Sequence, residues 1–132
     1  MPSIYSLLGE GKATASLRTT EDDMTIELPT EIARYFDADR SRDAAAVSAS
    51  FAAGAVVRDE EHTHTGRNEI QLWAAGYLAK YDCTTEPFAI ARDGDRTVVT
   101  SHVVGNFPGS PLDLRYRFRL ADGAIAGLEI TL

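Results

Sequence analysis

Three carboxylates and two histidines follow directly on an apolar strand in the stretch AGAVVRDEEHTHTGRNEIQLW, residues 53 to 73. Asp59 comes two residues after Val57, so in an extended chain both side chains point to one face, and that face is the buried one. A carboxylate enclosed by apolar walls holds a proton more tightly than in water. It is equipped as a general base, to take a proton from carbon or to activate water. The competing reading gives Asp59 a structural partner in Arg58, Arg67 or a histidine, or a capping role at the next helix. Glu60 and Glu61 are read as solvated. His62 and His64 have the donor type of a metal site, with Asp59 and Glu61 beside them. No second ligand cluster follows in the sequence, so no metal is assigned and both histidines are placed at a cavity rim.

Two tyrosines, Tyr35 and Tyr116, are able to polarise a carbonyl or bind a hydroxyl; equally, each is suited to fill a core with its hydroxyl on a backbone partner. Trp73 and Tyr77 stand one helical turn apart with Ile70 before them, a packing pattern that also suits the wall of an aromatic pocket. His102 is read as a surface residue. Arg115, Arg117 and Arg119 form a basic stripe, read as a solvated sheet face, an anion site or a dimer contact near Glu129.

Positioning these groups requires three helices and a set of hairpins. Pro29 opens a first helix with Ile32, Tyr35, Phe36 and Asp39 at helical spacing and Thr30 or Glu31 near its cap. After the break DRSRD, the run AAAVSASFAA predicts a second helix, with Val47 and Phe51 one turn apart and Gly54 at its end. Ala55 to Glu60 reads as a strand, and residues 66 to 81 as the third and longest helix. Four strand-like runs follow, Cys83 to Arg92, Arg96 to Phe107, Leu112 to Leu120 and Ala124 to Leu132, separated by DGD, PGSP and ADG turns. In LDLRYRFRL, Leu112, Leu114, Tyr116, Phe118 and Leu120 face one way, and Asp113, Arg115, Arg117 and Arg119 the other. The expected class is α+β, helices first and an antiparallel meander wrapped against them.

With 132 residues, 14.3 kDa and 44% apolar residues, the chain has the material for one core and no room for a second. A net charge of -7 and a pI near 4.8 argue against a nucleic-acid surface and against adhesion to anionic membranes. The single cysteine, Cys83, excludes an intramolecular disulfide and a cysteine-rich metal knot. Residues 1 to 16 lack the basic start and apolar run of a secretory signal, and no 18 apolar residues follow one another, so a cytoplasmic location is expected. Residues 1 to 23 read as an extension, dispensable for folding or packed on a partner, with Met24 as an alternative start. Residues 24 to 132 form the expected domain.

The ordered set ARYFDADRSRDAAAVSASFAAGAVVRDEE followed by TGRNEIQLW resembles the nuclear transport factor 2-like superfamily in its SnoaL-like and ketosteroid-isomerase-like branch, over residues 29 to 132. The resemblance implies a cone: a curved antiparallel sheet wrapped around three helices of the N-terminal half, enclosing a mostly apolar pocket, in a homodimer joined through the outer sheet face. Aligned without a gap, Tyr35 falls where the isomerase keeps its oxyanion-binding tyrosine and Asp59 where it keeps its proton-abstracting aspartate. The strand that should bring a second carboxyl offers Tyr116 instead. The donor role passes to a tyrosine, and isomerase activity itself is not implied. On this frame the catalytic set is Asp59, Tyr35 and Tyr116; the pocket is walled by Phe51, Val57, Trp73, Tyr77, Leu114, Phe118, Leu128 and Ile130, with His62 and His64 at the rim.

The expected function is cofactor-free acid–base chemistry, of isomerase, polyketide cyclase-like, hydratase or dehydratase type, on a small apolar molecule bearing a carbonyl or hydroxyl. The alternative is a ligand-binding or dimerisation module of the same fold, without turnover.

Overall fold

The computed structural model describes residues 26–59 and 61–132. The readings of residues 1 to 23 as an extension, of Met24 as a start and of Glu60 as solvated lie outside the described residues. Helix α1 spans Thr30–Arg40 and α2 Ala44–Ala49; strands β1 (Phe51–Asp59) and β2 (His62–Thr65) come next, then α3 (Arg67–Lys80) and strands β3 (Cys83–Asp93), β4 (Arg96–Gly105), β5 (Leu112–Ala121) and β6 (Ala124–Thr131). The six strands form one curved, unclosed sheet in the order β2-β1-β6-β5-β4-β3, with the helices against its inner face.

Alternation within the strands decides which side chains reach that inner face. Leu112, Leu114, Tyr116 and Phe118 of β5 are buried while Arg115 and Arg119 are exposed. Cross-strand register carries the pattern sideways, so that Val57, Leu128, Phe118 and Thr97 form one inward row, and Asp59, Ile130, Tyr116 and Val99 the next. A register shift after Arg119 breaks the alternation, and Leu120 is only half-buried at the core's edge. The outer face pairs opposite charges: Arg117 lies opposite Glu129 and reaches Asp93 at 3.3 Å, Arg96 reaches Glu129 at 3.9 Å, and His102 Nδ1 lies 2.8 Å from Asp113 Oδ1.

Two expectations are corrected here. The sheet is mixed rather than wholly antiparallel, because β1 and β6 run parallel. Hairpin turns announce antiparallel neighbours, whereas pairing between the first long strand and the last leaves no local signal. Helix α2 also stops at Ala49, and Phe51 already belongs to β1, opposite Ile125 of β6. The alanine-rich run favours helix, but burying Phe51 completely in the sheet outweighs that preference by the stabilisation of a large aromatic side chain, roughly 2–3 kcal/mol. A shift in register between Phe51 and Val56 absorbs Ala52, Ala53 and Gly54. His62 and His64 stand in the short edge strand β2.

Helix α1 buries Ile32, Tyr35, Phe36 and Ala38. Helix α3 buries Ile70, Trp73, Ala74, Tyr77 and Leu78, the i, i+3, i+4 stripe of an amphipathic helix. Gly66 precedes α3 at φ 87, a conformation glycine adopts without a side-chain clash. The turn between α1 and α2 places Arg42 at φ 59, where its guanidinium donates to the carbonyls of Leu78 and, at 3.1 Å, of Tyr81. Those carbonyls end α3, so Arg42 ties the two helix ends that carry Asp39 and Tyr77. The strained backbone is held by these bonds.

Arg42→Ala leaves the left-handed backbone in place and removes its anchor. Because the side chain is 42% exposed, the expected cost is about 1 kcal/mol, less than the roughly 1.5–3 kcal/mol of a well-shielded hydrogen bond to a charged group. Urea unfolding of the variant measures it; an unchanged midpoint contradicts the anchoring role.

Candidate active site

Asp59 ends β1 with its side chain on the inner face at 1% exposure, beside Ile130 in the ladder with β6. Neither arginine proposed as its structural partner turns to it in the way expected of an anchor. Arg58 is exposed on the opposite face, and Arg67 donates from Nε to the Phe51 carbonyl at 2.9 Å. Nor does Asp59 cap α3, whose start is held by Glu69 Oε1 accepting from the Thr65 amide at 3.0 Å. Instead Trp73 Nε1 donates to Asp59 Oδ2 at 3.1 Å inside the fold. Trp73 is one of the inward residues of α3, so the helix stripe that packs the core also positions the carboxylate.

Among the described residues, a cavity between α1, α3 and the sheet is lined by Tyr35, Asp39, Asp59, Trp73, Tyr77, Leu114, Tyr116 and Ile130. It is narrow, with room for about one water molecule. The structure thus brings together Asp59, Tyr35 and Tyr116, and walls them with Trp73, Tyr77, Leu114 and Ile130. Phe51, Val57, Phe118 and Leu128 lie in the packed core around it. Tyr35 stands with its ring centroid 6.2 Å from Tyr116, 5.6 Å from Phe118 and 5.9 Å from Phe51, so both tyrosines pack in an aromatic cluster while reaching the cavity wall.

His64 stacks on Trp73 at 5.8 Å and an interplanar angle of 30°, on the side of the indole toward β2. Burial pushes its imidazole below the usual histidine range, nearby His62 adds to this and Glu69 opposes it, so His64 is neutral at pH 7. His62 is exposed, opposite Asp59 in the β1–β2 ladder. Among the described residues no group of three or more His, Cys, Asp or Glu is placed to hold a metal ion.

Sequence reasoning counted Asp39 only as a helix position. It sits four residues after Tyr35, on the same inward side of α1, and lines the cavity. The signal was present in that i, i+4 spacing, but the aspartate was hidden in the charged run DADRSRD. Tyr77 donates from its hydroxyl to Asp39 Oδ1 at 2.6 Å. Burial raises the Asp39 carboxyl above its usual range, against the lowering effect of hydrogen bonds from Tyr77 and Thr85 and of the charges on Arg40 and Arg42. Beyond Asp39 and Tyr77 a second small cleft continues past Arg42, Leu78, Tyr81, Cys83 and Thr85. Burial, with Asp39 and Asp82 adding to it against Arg42, pushes the Cys83 thiol up to about 11, so it is not a nucleophile at neutral pH.

The SnoaL-like domain model matches residues 32–128, and the chain belongs to that family. A protein from Sinorhizobium meliloti, named for a proposed polyketide cyclase activity, is 42% identical, with 79% of this chain and 95% of that one covered at a TM-score of 0.74. A Catenulispora acidiphila protein with a ketosteroid isomerase-like fold, in complex with trimethylamine, is 20% identical over 80% of this chain and 87% of its own, at a TM-score of 0.71. The epoxide hydrolase/cyclase-like enzyme SalBIII, linked to pyran ring formation in salinomycin, is 19% identical over 76% and 85%, at a TM-score of 0.65. These last two share the fold. No curated protein matches the chain. Among the described residues no helix is long and apolar enough to cross a membrane.

The raised Asp39 carboxyl makes a stability prediction. A carboxyl that binds its proton more tightly folded than unfolded leaves stability intact below the unfolded pKa and lowers it as pH rises through the folded pKa. Asp39→Asn retains an acceptor for Tyr77 without the charge. Its melting temperature should therefore gain on that of the wild type as pH rises from about 4 to about 7; a gap that moves the other way contradicts the assignment.

Proposed function

We propose that this SnoaL-like protein is a cofactor-free acid–base enzyme acting on a small, mostly apolar molecule that bears a carbonyl or hydroxyl, in a reaction of isomerase, cyclase, hydratase or dehydratase type. The observation that carries the reading is the meeting, in the lining of one interior cavity, of a buried carboxylate oriented by an indole with two tyrosines, Tyr116 from the same sheet face and Tyr35 from α1. In it Asp59 is the base, Tyr35 and Tyr116 donate hydrogen bonds to the oxygen on which negative charge develops, and the apolar walls exclude water. The cyclase names carried by the Sinorhizobium protein and by SalBIII lie within this reaction class.

Admission of a substrate requires the cavity to widen, since it is nearly filled. That same narrowness favours the second reading, a non-catalytic binding or dimerisation module. The outer sheet face, with its paired charges around Arg117 and Glu129, is the surface proposed to join two chains. Sedimentation at micromolar concentration should show about twice the chain mass, and a clean monomer contradicts this.

Asp59→Asn separates enzyme from module. The amide oxygen keeps an acceptor for the Trp73 indole while the base is removed, so the melting temperature should hold or rise. Turnover found by screening ketones, lactones and epoxides should fall by about 100-fold or more. A variant that melts lower by the equivalent of about 1 kcal/mol and keeps full activity would make Asp59 a structural residue.

A further inference from the structure

Helix α3 presents two hydrogen-bond donors to the interior one turn apart, and each holds a different carboxyl. Trp73 Nε1 donates to Asp59 at the end of β1, and Tyr77 OH donates to Asp39 in the last turn of α1. The two rings touch edge to face with centroids 5.0 Å apart. Asp59, Trp73, Tyr77 and Asp39 are thus a continuous run of contacts, and all four line the same cavity. The two arginines that follow Asp39 are engaged elsewhere, Arg40 with Asp37 at 2.9 Å and Arg42 with the end of α3, so neither pairs off the carboxyl that Tyr77 reaches.

We propose that Asp39 and Tyr77 form a second acid–base unit of the site, which delivers a proton to the substrate's oxygen while Asp59 removes one from its carbon. The proposal rests on the reading of Asp59 as a base and adds the other half of the proton traffic. It selects enolisable carbonyl compounds as the substrate class. When Asp59 takes a proton, the carbon–hydrogen electron pair moves into the bond toward the carbonyl carbon, and the carbonyl oxygen gains the charge. The Tyr77 hydroxyl gives its proton to that oxygen. Protonated Asp39 then replaces it through the 2.6 Å bond, now running from the carboxyl to the phenol oxygen. The products are an enol, neutral Asp59 and an Asp39 carboxylate. In an isomerisation Asp59 returns its proton to a different carbon, the enol proton goes back through Tyr77 to Asp39, and no proton is gained or lost. The raised carboxyl of Asp39 suits it to carry a proton. The groups that face it are Tyr77 from α3, Thr85 and Cys83 from β3, and Arg40 and Arg42 from its own end of the helix.

Deuterium exchange at the benzylic carbon of 2-tetralone in heavy water, followed by proton NMR, reads carbon deprotonation on an apolar enolisable ketone. The wild type should exceed buffer, and Asp59→Asn should lose about 100-fold or more. Asp39→Asn and Tyr77→Phe should each lose about 100-fold at the acid end of the profile, with melting temperatures above the assay temperature. Because only protonated Asp39 supplies the proton, wild-type activity falls as pH rises through its raised pKa, and the deficit of Asp39→Asn closes over the same range. An Asp39→Asn variant with wild-type rate and profile, or with a deficit equal at every pH, overturns the inference while a loss in Asp59→Asn leaves the proposed base in place. Exchange unaffected by Asp59→Asn, or a wild type no faster than buffer, overturns the base and this inference together.

Discussion

The hydrogen bond from the Trp73 indole to the Asp59 carboxylate joins helix α3 to the end of β1 at the wall of the candidate site. A carboxyl at 1% exposure needs a donor, because desolvation without hydrogen bonding costs several kcal/mol even after relaxation. Helix α3 supplies that donor only if its inward stripe lies against the end of β1. The docking of the helix is thereby tied to the position of that carboxyl. The Gly66 turn that starts α3, the Arg67 bond to the Phe51 carbonyl and the Arg42 bonds at its far end each fix one end of the helix.

The same helix explains why the cavity holds two carboxyls in different surroundings. Asp59 lies deep, at the sheet, against an indole that donates and carries no charge. Asp39 lies nearer the surface, between a phenol, a threonine and two arginines, with burial still the dominant influence. The proposed division of labour, with one carboxyl as base and the other as proton store, draws on two carboxyls whose surroundings differ. The aromatic cluster of Tyr35, Phe36, Tyr116 and Phe118 forms the dry floor beneath them, and its two hydroxyl-bearing rings are the ones that meet the cavity.

Much of this was legible in the order of residues. Period-two alternation in LDLRYRFRL placed Tyr116 inside, and the step from Val57 to Asp59 put the carboxylate on the buried face. Three-and-four spacing put Trp73 and Tyr77 on the inward side of α3. What could not be read was direction and partner. Alternation is the same for parallel and antiparallel neighbours, so the β1–β6 pairing was hidden. Local preference favoured helix through Phe51, and only the long-range contact with Ile125 overrides it. The roles of Trp73 and Asp39 depend on contacts spanning 14 and 38 residues of sequence, which no local pattern encodes.

Trp73 is the only tryptophan in the chain, so its indole proton gives a single assignable NMR signal at the centre of the site. The most direct test is to follow that signal's solvent exchange and chemical shift as 2-naphthol, a planar mimic of an enol, is added. A buried indole bonded to Asp59 at the wall of a ligand cavity predicts slow exchange in the free protein and a saturable shift with the phenol, with the free-state shift altered in Asp59→Asn. An indole proton that exchanges freely, ignores the phenol and is the same in both proteins would contradict the account.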